Sequence, residues 1–186
     1  MTVYILLGEG FEEAEALVPA DILRRGGVDV KLTGVGGMRI RGGHGITVEA
    51  DTAAEGVTLA PGDMLVLPGG LGGVASMEAS GAAMALARTA AADSAIYLAA
   101  ICAAPDLLAR KGLIPAGTHA VCYPGMEGAM VRSGALPQLD KSAVTDGMLI
   151  TGRGPGAAFD FGLALLTALK GEDAAEQVRR EMYYCR

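Results

Sequence analysis

Tryptophan is absent from this chain, and aromatic residues fill only 4% of its 186 positions. Stacking platforms for single-stranded nucleic acid or sugars are therefore poorly supplied. Positive charge is short as well. Against 21 Asp and Glu there are 15 Lys and Arg, a net charge of -6, which argues against binding to nucleic acid or anionic lipid as the main purpose. The longest apolar run, residues 95–105, is well below the roughly 18 residues that span a bilayer, so no membrane partner is expected. Met1-Thr2-Val3-Tyr4-Ile5-Leu6-Leu7 has no basic leader and reaches Gly8-Glu9 too early for a signal peptide; a soluble, cytoplasmic protein is the expectation. Cysteine is sparse: Cys102, Cys122 and Cys185 form neither a disulfide framework nor the paired spacing of a zinc site. The only imidazoles are His44 and His119, distant in sequence and without clustered acids, so neither a metal nor another cofactor is expected.

What is abundant is apolar mass and glycine. Hydrophobic residues make up 51% and charged residues 19%, enough for a large core, and one domain over residues 1–186 is expected. The 28 glycines, about twice the average usage of ~7%, anticipate tight turns and close backbone approaches. Branched-aliphatic runs alternate with helical patterns: strands at Val3 to Leu7, Val28 to Val35, Met64 to Leu67, Ile96 to Ile101, Thr118 to Cys122 and Met148 to Thr151. Helices are expected at Glu12 to Arg25, Gly81 to Ala92, Ala104 to Lys111, Gly156 to Lys170 and from Glu172 onward, with a peripheral hairpin at Arg39 to Glu49. This alternation predicts an α/β fold, a mainly parallel central sheet with helices on both faces. Ligands of such sheets sit outside the carboxyl ends of the strands. Here those ends are Gly8-Glu9-Gly10, Pro68-Gly69-Gly70 and Cys102.

Cys102 ends a buried strand and is followed by small residues and then Ala104-Pro105, the layout of a nucleophile elbow. N–H groups at the start of the next helix are expected to lower the thiol pKa. The alternative is a small buried hydrophobe. At about 100° per residue, Glu15 falls among Phe11, Val18, Pro19 and Ile22, whereas Glu13, Asp21 and Arg24 lie on the far side. A carboxyl in an apolar stripe favours its protonated form and needs a partner such as a thiolate. The alternative is an ordinary acid at a helix start. Gly69 and Gly70, directly after a central strand, leave N–H groups free to serve an oxyanion. Gly70-Leu71-Gly72-Gly73-Val74-Ala75 matches a dinucleotide pattern only loosely, because Pro68 interrupts the turn. His44 lies between glycines in a loop able to reach the crevice, and Arg153, between a strand and a helix, could bind a carboxylate or phosphate or meet a partner subunit.

Four segments in order, Gly10-Phe11-Glu12-Glu13-Ala14-Glu15, Val66-Leu67-Pro68-Gly69-Gly70, Ala99-Ala100-Ile101-Cys102-Ala103-Ala104-Pro105 and Thr151-Gly152-Arg153-Gly154-Pro155-Gly156, resemble the ThiJ/PfpI superfamily and, within it, the DJ-one deglycase branch. The resemblance implies a flavodoxin-like three-layer sandwich and a homodimer. It also implies Cys102 as reactive elbow cysteine, Glu15 as its protonated partner, and Gly70 and Ala103 as backbone donors. Ala103 stands where the peptidase-like branch has a His, which argues against a cysteine peptidase. Tyr123-Pro124 stands where the deglycase branch often has His-Pro, so a base role would pass to Glu15, His44 or Tyr123; His44 aligns with a loop near the active site in relatives. The expected activity is that of a cofactor-independent, glutathione-independent glyoxalase or deglycase acting on small aldehydes such as methylglyoxal, or on glycated side chains. The alternative is a cysteine-based oxidative-stress sensor or chaperone-like protein without turnover.

Overall fold

The computed structural model describes residues 1–185. In chain order the elements are β1 (Thr2–Leu7), α1 (Glu13–Arg25), β2 (Asp29–Gly34), β3 (Arg39–Arg41), β4 (Thr47–Glu49), β5 (Thr52–Ala53), β6 (Met64–Leu67), α2 (Leu71–Ala79), α3 (Gly81–Ala92) and β7 (Tyr97–Ile101). They continue with α4 (Ala104–Arg110), β8 (His119–Ala120), α5 (Gly128–Arg132), β9 (Leu136–Pro137), β10 (Ala143–Asp146), β11 (Leu149–Gly152), α6 (Ala158–Lys170) and α7 (Glu172–Glu181). The sheet runs β10-β11-β7-β6-β1-β2-β5, parallel except for β10 on β11. Its parallel core, β2-β1-β6-β7-β11, follows the flavodoxin order, so the chain reverses direction across the sheet between β1 and β6 and opens a crevice at their carboxyl ends. The flavodoxin-like α/β sandwich expected from the sequence is thus present.

Side-chain alternation on the strands builds two cores. On β6, Met64 and Val66 join one with Ile22, Leu23, Phe161 and Leu165 of α1 and α6, while Leu65 and Leu67 join the other with Met77, Met84, Ala87 and Leu107 of α2, α3 and α4. β7 divides likewise, Ala99 and Ile101 against Leu98 and Ala100. All four β6 side chains are buried, as a continuous apolar run in a central parallel strand requires.

The expected strand at 118–122 forms only as the two-residue β8, paired with β9 outside the main sheet. Beyond it the backbone turns to other partners: Val121 N–H donates to Thr151 Oγ1 at 2.9 Å and Tyr123 N–H to the Cys102 carbonyl at 2.9 Å. Neither helix α2, which follows Gly70, nor the edge strand β10 was among the expected elements. The hairpin at residues 39–49 forms as β3 and β4. No helix among the described residues is long and apolar enough to cross a membrane.

Candidate active site

Three loops meet at the carboxyl ends of β1, β6 and β7. Cys102 follows β7 at φ 65°; Tyr183 is the one other non-glycine described residue with positive φ. Such a conformation costs on the order of 1–3 kcal/mol and persists only where neighbours over-determine it. Here they do. Cys102 N–H donates to Gly152 O at 2.9 Å, and its carbonyl accepts the Tyr123 N–H. The sharp turn lifts the sulfur out of the sheet, leaving Cys102 half-buried on the wall of a pocket of about 480 Å³ with Glu12, Leu71, Ala103, Tyr123 and Met126. That volume suits a small ligand.

Glu15 comes from the first turn of α1 and is 0% exposed, on the apolar stripe as its helical position foretold. Its Oε2 accepts the Gly69 N–H at 2.7 Å, whereas Oε1 is buried without any N–H or O–H partner. Its remaining polar contact is with the sulfur of Cys102. Gly69 is the hinge of this pairing: a methyl group on its Cα would sit 2.6 Å from both Glu15 Oε2 and Cys102 Cβ and 3.1 Å from Cys102 Sγ. Because its N–H is spent on Glu15, Gly69 is not the free oxyanion donor expected from the sequence. The N–H groups of Gly70 and Ala103 face the sulfur instead. Gly70 reaches that pose at φ 79°, where a side chain would meet Glu12 N and Gly10 O at 2.6 Å.

Burial pushes the Glu15 carboxyl up to about 7, against hydrogen bonds from Cys102 and Gly69 that pull it down. At Cys102, burial, then the negative charge and hydrogen bonding of Glu15, push the thiol up to about 12, while the Gly70 and Ala103 N–H groups act in the opposite direction. This corrects the simple expectation of a thiol depressed by a helix end: α4 is only seven residues long, and desolvation outweighs it. The two titrate as a coupled pair that holds one proton above about pH 7. Its chemistry turns on which of the two atoms keeps that proton.

His44 is displaced from its expected role. It does not line the Cys102 pocket; its side chain is 69% exposed, with Nδ1 3.0 Å from Glu13 Oε2 and 3.5 Å from Glu12 Oε2. Glu13, assigned to the exposed side of α1 by its helical position, is only 5% exposed because the hairpin covers it. Its Oε1 accepts the N–H groups of His44 and Ile46 at 2.8 and 3.2 Å. These hydrogen bonds outweigh burial and hold the Glu13 carboxyl below its ordinary range, and the Glu13 hydrogen bond in turn raises His44. Glu12, Glu13 and His44 thus gather donor atoms within 4.8 Å of one another, a clustering invisible in the sequence, yet Glu13 already spends both its oxygens on the hairpin. Tyr123 lines the pocket half-exposed, its ring 3.3 Å from where a side chain on Gly154 would begin. Arg153 lies in an adjoining trough. Leu71 and Met126, exposed and half-buried rim residues, had no sequence signal beyond their apolar character.

Comparison with known proteins identifies the family. Residues 1–168 match the model of the DJ-1/PfpI family. The chain is 36% identical over 177 residues to Protein dj-1beta of Drosophila melanogaster, covering 95% of this chain and 93% of that protein. It is 28% identical over 178 residues to the glutathione-independent glyoxalase DJR-1.2 of Caenorhabditis elegans, covering 96% and 93%. The crystal structure of a DJ-1 superfamily protein from Salmonella typhimurium, solved as a cysteine-to-alanine mutant, superposes with a TM-score of 0.89 at 34% identity, covering 100% of this chain and 99% of that one. An elbow cysteine against a buried helix-borne glutamate, on a sheet of this order, in a chain this similar along its whole length, makes the protein a member of the DJ-1/PfpI family.

Proposed function

We propose that the protein is a cofactor-independent, glutathione-independent glyoxalase whose nucleophile is Cys102 and whose proton carrier is Glu15. The observation that carries this reading is the buried, otherwise unpartnered Oε1 of Glu15 beside the half-exposed sulfur. As a carboxylate, Glu15 leaves one oxygen desolvated and unbonded, a cost of several kcal/mol. As a carboxylic acid it donates to the sulfur, and the negative charge rests on the atom that reaches solvent and faces two backbone N–H groups. We infer from this that the proton resides on Glu15 and the sulfur is the thiolate, against the burial that favours a protonated thiol. Similarity to a protein named as a glutathione-independent glyoxalase supports the same activity.

The thiolate adds to the aldehyde carbon of an oxoaldehyde such as methylglyoxal, forming the S–C bond while the carbonyl oxygen takes the Glu15 proton and leaves a carboxylate. That carboxylate carries the aldehyde-carbon proton to the neighbouring keto carbon while the new hydroxyl proton passes to the keto oxygen, which oxidises the first carbon to a thioester and reduces the second to an alcohol. Water then cleaves the thioester, freeing the thiolate and a hydroxy acid. Reversal of early glycation on Cys, Lys or Arg side chains uses the same groups. Cys102→Ala is expected to abolish methylglyoxal consumption, and Glu15→Gln to lower it by roughly 100-fold or more. Equal rates in the wild type and both variants reject the proposal.

One observation favours a second role for the same atom: Cys102 is half-exposed where Cys122 is fully buried. Peroxide is then expected to oxidise Cys102 ahead of Cys122 and Cys185, giving a sulfinate held by Glu15. Mass spectrometry after mild peroxide treatment checks this, and uniform oxidation of all three cysteines removes it.

A further inference from the structure

The Cys102 pocket continues into a second trough of about 560 Å³ lined by Ser142, Arg153, Gly156 and Ala157, and the two share Tyr123, Pro124 and Pro155 as a common wall. The backbone of Arg153 lies beside that of Cys102. The Cys102 N–H bonds the carbonyl of Gly152, the residue just before it, across strands spaced ~4.8 Å apart. Among the residues lining the two troughs, Arg153 is the one cation and Glu12 the one carboxylate, and they belong to different troughs. The Arg153 guanidinium is exposed and makes no ion pair or hydrogen bond among the described residues, although acids outnumber bases in the chain.

We propose that Arg153 forms a carboxylate subsite beside Cys102, so that the favoured oxoaldehydes carry a carboxylate a few atoms from the reacting carbonyl. This rests on the reading of Cys102 as the nucleophile. A planar guanidinium matches a carboxylate with two parallel hydrogen bonds. A phosphate would bring a second negative charge that no other lining cation offsets. With the carboxylate on Arg153 and repelled by Glu12, the aldehyde end is directed to the sulfur. The step is otherwise unchanged: the S–C bond forms at the aldehyde carbon, the proton passes by Glu15 to the adjacent carbon, and water releases a hydroxy-dicarboxylate.

The test compares alkylation of Cys102 by N-ethylmaleimide and by maleimidopropionate, its carboxylate-bearing analogue, read by mass spectrometry in wild type, Arg153→Ala and Arg153→Lys. The ratio of carboxylate to neutral rates is expected to fall about tenfold in Arg153→Ala, to fall less in Arg153→Lys, which keeps the charge without the fork, and to shrink with added salt in wild type and Arg153→Lys but not in Arg153→Ala. The same ratio in wild type and Arg153→Ala overturns the proposal, as does failure of Cys102 to react with either reagent. Parallel turnover of methylglyoxal by wild type separates the two readings: consumption with an unchanged ratio removes only the subsite, and a fallen ratio without consumption removes only the glyoxalase.

Discussion

Glu15 is the residue on which both chemistry and stability turn. Its folded pKa of about 7 lies above the ordinary 4.5. A raised carboxyl pKa means the folded state holds a proton the unfolded chain has released, so this contribution is present below about pH 4.5 and is lost as pH rises through 7. Between pH 5 and 7.5, wild type should lose on the order of 2–3 kcal/mol relative to Glu15→Gln in denaturant unfolding. A pH-independent difference between the two would show that Glu15 is ionised throughout. At Gly69 the requirement is steric. Gly69→Ala drives a methyl into both Glu15 and Cys102 at 2.6 Å, and is expected to cost about 1–3 kcal/mol and to remove most activity with the secondary structure intact. Cys102 and Glu15 were both visible in the sequence, one at a strand-to-helix junction and the other in an apolar stripe. Their mutual effect was not, because desolvation depends on packing between residues 87 positions apart in the chain. Glu13 was misplaced for a related reason: a helical wheel describes one element, and what buries Glu13 is a hairpin 31 residues away in sequence.

At the scale of elements, the hairpin β3-β4 is fastened to α1 through the Glu13 carboxylate. Glu13→Ala should release the loop at a cost of about 1–3 kcal/mol, with amide exchange protection lost at His44 and Ile46. Unchanged protection at both would contradict the clamp. Where α6 crosses α1, a side chain on Gly162 would meet Ile22 Cδ1 at 2.8 Å and Pro19 Cα at 3.1 Å, so these helices approach as closely as glycine permits. The boundaries of β6 and α3 coincide with their sequence expectation, since a continuous apolar run in one and an Ala-rich stretch in the other are bounded by turn residues. Helix α2 was hidden by Gly72 and Gly73. These glycines serve packing rather than turning: a side chain on Gly73 would lie 2.6 Å from Phe11 Cα, and one on Gly72 3.1 Å from Gly10 Cα. Propensity alone reads such glycines as loop. β10 escaped notice because an exposed antiparallel edge lacks the apolar run of the central strands.

For the whole molecule, strand alternation gives two cores that share β1, β6, β7 and β11, so neither can unfold without exposing the other face. We propose that residues 1–186 unfold as one cooperative unit and assemble as a homodimer, the latter from family resemblance. Light scattering should return twice the 18.8 kDa chain mass; the single-chain mass at micromolar concentration would contradict assembly. The order of the central strands was legible from the alternation of apolar runs and helical patterns, and the crevice followed from it. The pocket's walls were not, since Tyr123 and Met126 arrive from one loop and Pro155 from another far along the chain.

The location of the shared proton is read most directly from the pH dependence of Cys102 alkylation. If Glu15 keeps it, the rate reaches half its maximum at or below about pH 7, where the pair loses its first proton. If sulfur keeps it, alkylation stays slow through neutrality and is still climbing above pH 9 toward a thiol pKa of about 12, and the thiolate mechanism fails.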